Sequence, residues 1–223
     1  MRTAKFPVGA SIIAAFVSSA TFVSVAAAQA GDMTFFLTSA NSGKGADFGG
    51  LDGADAYCAT LAKAAGSRKT NWRAYLSTTG EGGAAGVNAR DRIGKGPWQN
   101  VKGVVIAKSV DDLHGVTNNL TKDTALSEKS ETISGRGDAV NAHDVLTGSD
   151  PTGSYSTAGG DTTCANWTSS TTGSAIVGHH DRKGLKDSRH MNSWNSSHGT
   201  RGCNMEALKS TGGAGLIYCF VAN

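Results

Sequence analysis

Proline and cysteine are scarce: three and four residues in a chain of 223, with aromatic residues at only 7%. Thirty glycines beside so little proline imply many turns and few long helices. After the first thirty residues no stretch approaches the ~20 apolar residues of a membrane helix, which excludes a span in that part of the chain. A strong charge of one sign is also missing. Without Arg2 and Lys5 the 21 basic side chains become 19, against 18 acidic ones. That balance lacks the basic footprint of a nucleic-acid binder. There is no CxxC or dense Cys/His pair for a thiolate zinc site, and no HExxH or GxSxG motif. Glu81, Glu128, Glu131 and Glu206 form no recognisable acid/base pair, so the chain is read as non-enzymatic.

What is present begins with an address. Arg2 and Lys5 precede an apolar, alanine-rich stretch from Phe6 to Ala28, closed by "AQA" at Ala28 to Ala30. This is the pattern of a cleaved secretory signal peptide. Residues 1–30 are assigned to it and residues 31–223 to a single domain, secreted or periplasmic. In an exported chain the even set Cys58, Cys164, Cys203 and Cys219 predicts two disulfides. Four cysteines allow three connectivities, and spacing alone does not choose among them.

"MTFFLTS", Met33 to Ser39, reads as an opening strand. In "LDGADAYCATLAKAAGS", Ala54, Tyr57, Cys58, Leu61 and Ala65 share a helical face, with Asp52 as cap and Gly66 as stop. This is the one clear helix, near the N-terminus. "NWRAYLST" alternates, with Trp72, Ala74 and Leu76 opposite Arg73 and Tyr75, and "VKGVVIA" reads as another strand. Arg90, Asp91 and Arg92 are expected to fix a glycine-rich loop by ion pairs. Asp111 to Asp138 is polar and weakly periodic, read as a short helix and a long excursion, and "GLIYCFVA", Gly215 to Ala222, is an apolar closing strand. Trp72, Trp98 and Trp167 are assigned to the core.

"ADAYCATLAKAAG" with "WRAYLST", then "TGSDPTGSYSTAGGDTTCANW", then "SWNSSHGTRGC" with "GLIYCFVAN", resemble in order the C-type-lectin-like fold. The nearest likeness is to its endostatin-like branch and a group of secreted bacterial lectin-like proteins. The resemblance implies an α+β domain with short strands, long glycine-rich loops and two nested disulfides, Cys58 with Cys219 and Cys164 with Cys203. It also implies a carbohydrate-binding function without catalysis. Such lectins typically hold calcium with a carboxylate-Pro-amide and a Trp-Asn-Asp tripeptide. Here the counterparts are "SDPT" around Asp150 and Pro151, and "WNS" at Trp194 to Ser196. Ser196 replaces a carboxylate that calcium favours, so a calcium-bridged sugar is not expected.

Two polar clusters lie between Cys164 and Cys203: "VGHHDRKG" and "SWNSSHGTRGC". The expected binding residues are Trp194, Asn195, His198, His179, His180 and Asp181. Trp194 would offer a flat face to a sugar ring and the polar groups would bond its hydroxyls. The competing reading puts Trp194 in the core and makes Asn195 a loop pin. Adjacent His179 and His180 would face opposite ways on a strand. His179, Asp181, His190 and His198 could supply three zinc ligands and an open position, but no compact spacing supports that site. No cofactor is therefore expected. The expected partner is a glycan or glycoconjugate; the alternatives are a surface protein bound on the same scaffold, or zinc-dependent hydrolysis.

Overall fold

The computed structural model describes residues 1–2, 30–80 and 85–223. The expected signal peptide, apart from Met1, Arg2 and Ala30, lies outside the described residues. Along the rest of the chain run β1 (Phe35–Leu37), α1 (Gly50–Ala64), β2 (Trp72–Ala74) and α2 (Ala89–Arg92). Then come β3 (Trp98–Gln99), β4 (Val105–Ala107), α3 (Val110–His114) and β5 (Asp144–Leu146). The last elements are α4 (Cys164–Trp167), β6 (Ile176–His179), β7 (His198–Gly199), α5 (Met205–Thr211) and β8 (Gly213–Val221). The fold is α+β. The reading of a single helix is corrected: α1 is joined by α2 to α5, each too short to show a helical period.

The apolar closing run organises the molecule. The first half of β8 pairs in parallel with β5 (Val145 opposite Leu216, Leu146 opposite Ile217). Its second half lies antiparallel to β1 (Phe35 opposite Phe220) and to β2 (Ala74 opposite Cys219). The sheet continues from β5 to β6 and β7, while β3 and β4 form a separate ribbon. Both faces of β8 are covered. Ile217, Cys219 and Val221 pack with Phe36, Trp72, Ala74 and Leu76 on one side. Leu216, Tyr218 and Phe220 pack with Phe35, Leu37 and Tyr75 on the other. A strand buried on both faces is continuously apolar rather than alternating, which is the pattern of this run.

Helix α1 lies on the first of these cores through Ala54, Cys58 and Ala62, one helical turn apart, with Leu51, Tyr57 and Leu61 partly buried beside them. Asp52 stands in its first turn, and the N-cap is Gly49. Gly66, at φ 87°, follows the C-cap Ala65 and turns the chain away. Cys58 bonds to Cys219, tying helix to central strand across 161 residues. Arg92 forms a two-pronged ion pair with Asp55 of α1, at 2.8 and 2.9 Å, and Arg90 pairs with Asp111. These arginines thus brace the helices rather than a glycine loop. The strand expected from Val101 shortens to β4, because Asn100 accepts from the backbone of Lys102 and Val104 and closes a turn.

The second disulfide, Cys164 to Cys203, clamps an uncommon backbone. Cys164, Ala165, Asn166 and Trp167 have φ of 50°, 52°, 53° and 67°, so α4 is one left-handed turn. Such a conformation costs an L-residue roughly 1–2 kcal/mol. It is held by the disulfide, by the fully buried Trp167, and by the bond from Trp167 Nε1 to Ser77 O at 2.7 Å.

Candidate functional site

Sheet register assembles the polar centre. Asp144 opens β5 directly opposite His179 of β6, and His198 of β7 lies opposite Val177, two residues before His179. Side chains two apart on a strand, or directly opposite across a ladder, share a face. Asp144, His179 and His198 therefore project together. His143, just before the strand, adds its ring, stacked on His179 with centroids 4.1 Å apart. Two glycines permit the approach. At Gly212, φ 113°, an added Cβ would lie 3.2 Å from the His143 ring; at Gly213 it would lie 3.1 Å from Asp144 Cβ.

Three imidazole Nε2 atoms converge on Asp144 Oδ1: His143 at 3.1 Å, His179 at 3.3 Å and His198 at 3.5 Å. The Nε2 atoms of His179 and His198 are 3.1 Å apart. Each ring is held from behind through Nδ1: His143 to Asp181 Oδ1 at 3.2 Å, His179 to Met191 O at 2.6 Å and His198 to Gly199 O at 3.2 Å. All three acceptors are oxygens, so the Nδ1 atoms carry protons and the Nε2 atoms are the ones turned toward Asp144. The Asp144 carboxylate is buried, and neither oxygen has an aligned hydrogen bond despite the nearby rings.

Burial raises the Asp144 carboxyl, but the His179 and His198 imidazoles outweigh it and hold it below the usual carboxylate range. His198 is raised by its contact with Asp144, against a smaller effect of burial. Asp181 is held well below the ordinary range: burial is offset by His143 and the backbone N–H groups of Arg136 and Lys183. His180 points the other way, as expected for a neighbour on a strand. It is fully buried with Nε2 to Ser134 O, and burial pushes it down to about 4. Outside the cluster lies a cavity of about 440 Å³ bordered by His143, His179, His198, Arg136 and Arg201.

The loop from Ser193 to Ser197 packs on β6. Ser193 O accepts from His179 N at 2.8 Å, and Ser197 N donates to Val177 O at 2.6 Å. Asn195 is 1% exposed and fully engaged. Its Nδ2 donates to Tyr75 Oη and Asp150 O, both at 3.0 Å, and its Oδ1 accepts from Ser193 Oγ at 3.1 Å. Trp194 lies in the core between Tyr75 and Tyr218, ring centroids 4.8 and 5.4 Å away. These two residues form the floor of a second cleft, of about 610 Å³, whose rim includes Thr152, Arg189, His190, Asn192 and Ser196. Asp150 is committed to its own turn, accepting from Thr152 and Ser154. Asn195→Ala is expected to lower stability by about 1–2 kcal/mol, because it strips buried hydrogen bonds from the loop. Thermal unfolding of the variant checks this; an unchanged melting temperature would contradict the pinning role.

The expected single pocket is thus divided. His179 and His198 meet at the Asp144 cluster, Trp194 and Asn195 underlie the other cleft, and Asp181 supports His143 from behind. His180 is buried apart, and His190 is exposed and not part of the imidazole cluster. His143 and Asp144 were not read as site residues from the sequence. The available signal was the adjacent pair in "AHDVL" at the start of a strand, which has no motif spacing to His179 or His198. No protein-family model matches the chain, and no curated protein matches it significantly.

Proposed function

We propose that this is an exported, non-catalytic binding protein on a C-type-lectin-like scaffold of the endostatin-like kind, and that its ligand is a glycan or glycoconjugate. The observation that carries this reading is the cleft of about 610 Å³ over the Trp194 loop. Its size suits a small sugar. Pro151 and Val116 supply apolar surface, and Thr152, Arg189, His190 and Asn192 supply the polar rim, matching the apolar face and hydroxyl edge of a pyranose. Two disulfides support export, and no helix among the described residues is long and apolar enough to cross a membrane. Support for the scaffold comes from a helix cysteine bonded to the last strand and an inner disulfide bracketing the loop. Since Trp194 and Asn195 are buried, recognition falls to the exposed rim.

A glycan array with free-sugar competition tests this. Binding is expected, and Arg189→Ala and His190→Ala should each weaken it about 5- to 150-fold without lowering the melting temperature. An empty array, or wild-type binding by both variants, would overturn the reading. Capture of an intact, unglycosylated protein with no glycan bound would move it to the adhesion alternative.

A further inference from the structure

We propose that the Nε2 atoms of His143, His179 and His198, with a carboxylate oxygen of Asp144, hold a divalent first-row transition-metal ion of the zinc type. This inference is independent of the glycan reading, and it concerns the other cavity.

The first support is the donor set. Imidazole nitrogens with one carboxylate suit zinc and its neighbours rather than calcium or magnesium, which prefer oxygen throughout. The donor separations, 3.1 to 3.5 Å between Asp144 Oδ1 and the three rings and 3.1 Å between His179 and His198, are short and mutually similar. A tetrahedral ion with bonds of about 2.0–2.2 Å spaces its ligand atoms by about 3.3–3.5 Å. Independently, the His143, Asp144 and His179 donors all lie within 4.8 Å of one another, a set that His198 does not join, its Nε2 lying close to Asp144 and His179 only.

The second support is what surrounds the donors. Each ring donates a hydrogen bond from Nδ1 to a carboxylate or carbonyl, the arrangement that fixes tautomer and orientation in metal-bound histidines. The Asp181–His143 contact is such a carboxylate–histidine pair. Lone pairs on His179 and His198 Nε2 facing each other at 3.1 Å repel unless a proton or cation lies between them. One shared proton would bridge those two rings, yet it would leave both Asp144 oxygens buried without a hydrogen bond. A buried carboxylate without an aligned hydrogen bond is costly, and a dication among these donors offsets that cost.

Four protein donors make a closed, structural site rather than one with a position left for a catalytic water. His198, with 28% of its side chain exposed, lies at the rim of the 440 Å³ cavity and gives the ion its way in.

The test uses the tag-free chain purified without chelator. Elemental analysis is expected to find about one equivalent of bound metal. After chelation and dialysis, Zn²⁺ at about 100 times its Kd should raise the melting temperature by roughly 5–10 °C. Co²⁺ should give the visible absorption of a four-coordinate site. His198→Ala removes a half-buried ligand at the rim with little cost to folding, and should weaken Zn²⁺ at least tenfold. Asp144→Asn should do the same if it folds. The proposal is overturned if the stripped wild type shows neither a thermal shift nor a cobalt spectrum, or if His198→Ala binds Zn²⁺ like the wild type.

Discussion

Replacing Cys58 and Cys219 together by serine is expected to lower the unfolding free energy by about 2–5 kcal/mol. The bond spans 161 residues and joins α1 to the strand on which β1, β2 and β5 all pair. Cutting it frees the unfolded chain from a long loop closure, roughly 5 kcal/mol at most by loop entropy. It also leaves two polar hydroxyls where the cysteines are fully buried. Denaturant unfolding of the double variant measures the loss. A change under about 1 kcal/mol would show that the sheet ladder alone holds the helix to β8.

Gly178→Ala is expected to cost about 3 kcal/mol, the upper end for overpacking. A Cβ there would lie 1.9 Å from Trp194 O, 2.1 Å from Trp194 C and 2.3 Å from Asn195 N. All three are backbone atoms, so no rotamer change relieves the clash and the loop must lift from β6. Amide exchange at Ser197 and His179, whose N–H groups bridge loop and strand, should then accelerate. Wild-type melting and unchanged exchange would mean that the loop is not seated against this strand.

Much of the framework was legible in local pattern. Trp72, Ala74 and Leu76 do lie on one face of β2 and its continuation, with Tyr75 on the other. The apolar run from Gly215 to Ala222 reads as a closing strand, and β8 is that strand. The resemblance-based pairing of the cysteines is the one the structure has. What stayed hidden depends on distant partners. The left-handed turn at Cys164–Trp167 contradicts the preference of Cys164, Ala165 and Trp167, Asn166 alone being tolerant of it, and is held by the disulfide and the Trp167 pocket. Trp194 and Asn195 carry two readings in the sequence, ligand contact or core residue and loop pin, and packing decides for the second, since Tyr75 and Asp150 occupy their polar and aromatic surfaces.

The histidine cluster was harder still. Its members come from β5, β6 and β7, and cross-strand register rather than sequence spacing brings them together. His143 and Asp144 sit in a stretch with no turn or helix signal of its own. The expectation of no bound metal followed from the lack of compact motifs, whereas sheets gather ligands from widely separated segments.

Anomalous diffraction at the zinc edge, from crystals of the chain grown with Zn²⁺ and no chelator, tests the four-donor cluster most directly. The expected result is one strong peak about 2.0–2.2 Å from the Nε2 atoms of His143, His179 and His198 and from an Asp144 oxygen. The contradicting result is the same four side chains in place, with no anomalous peak between them.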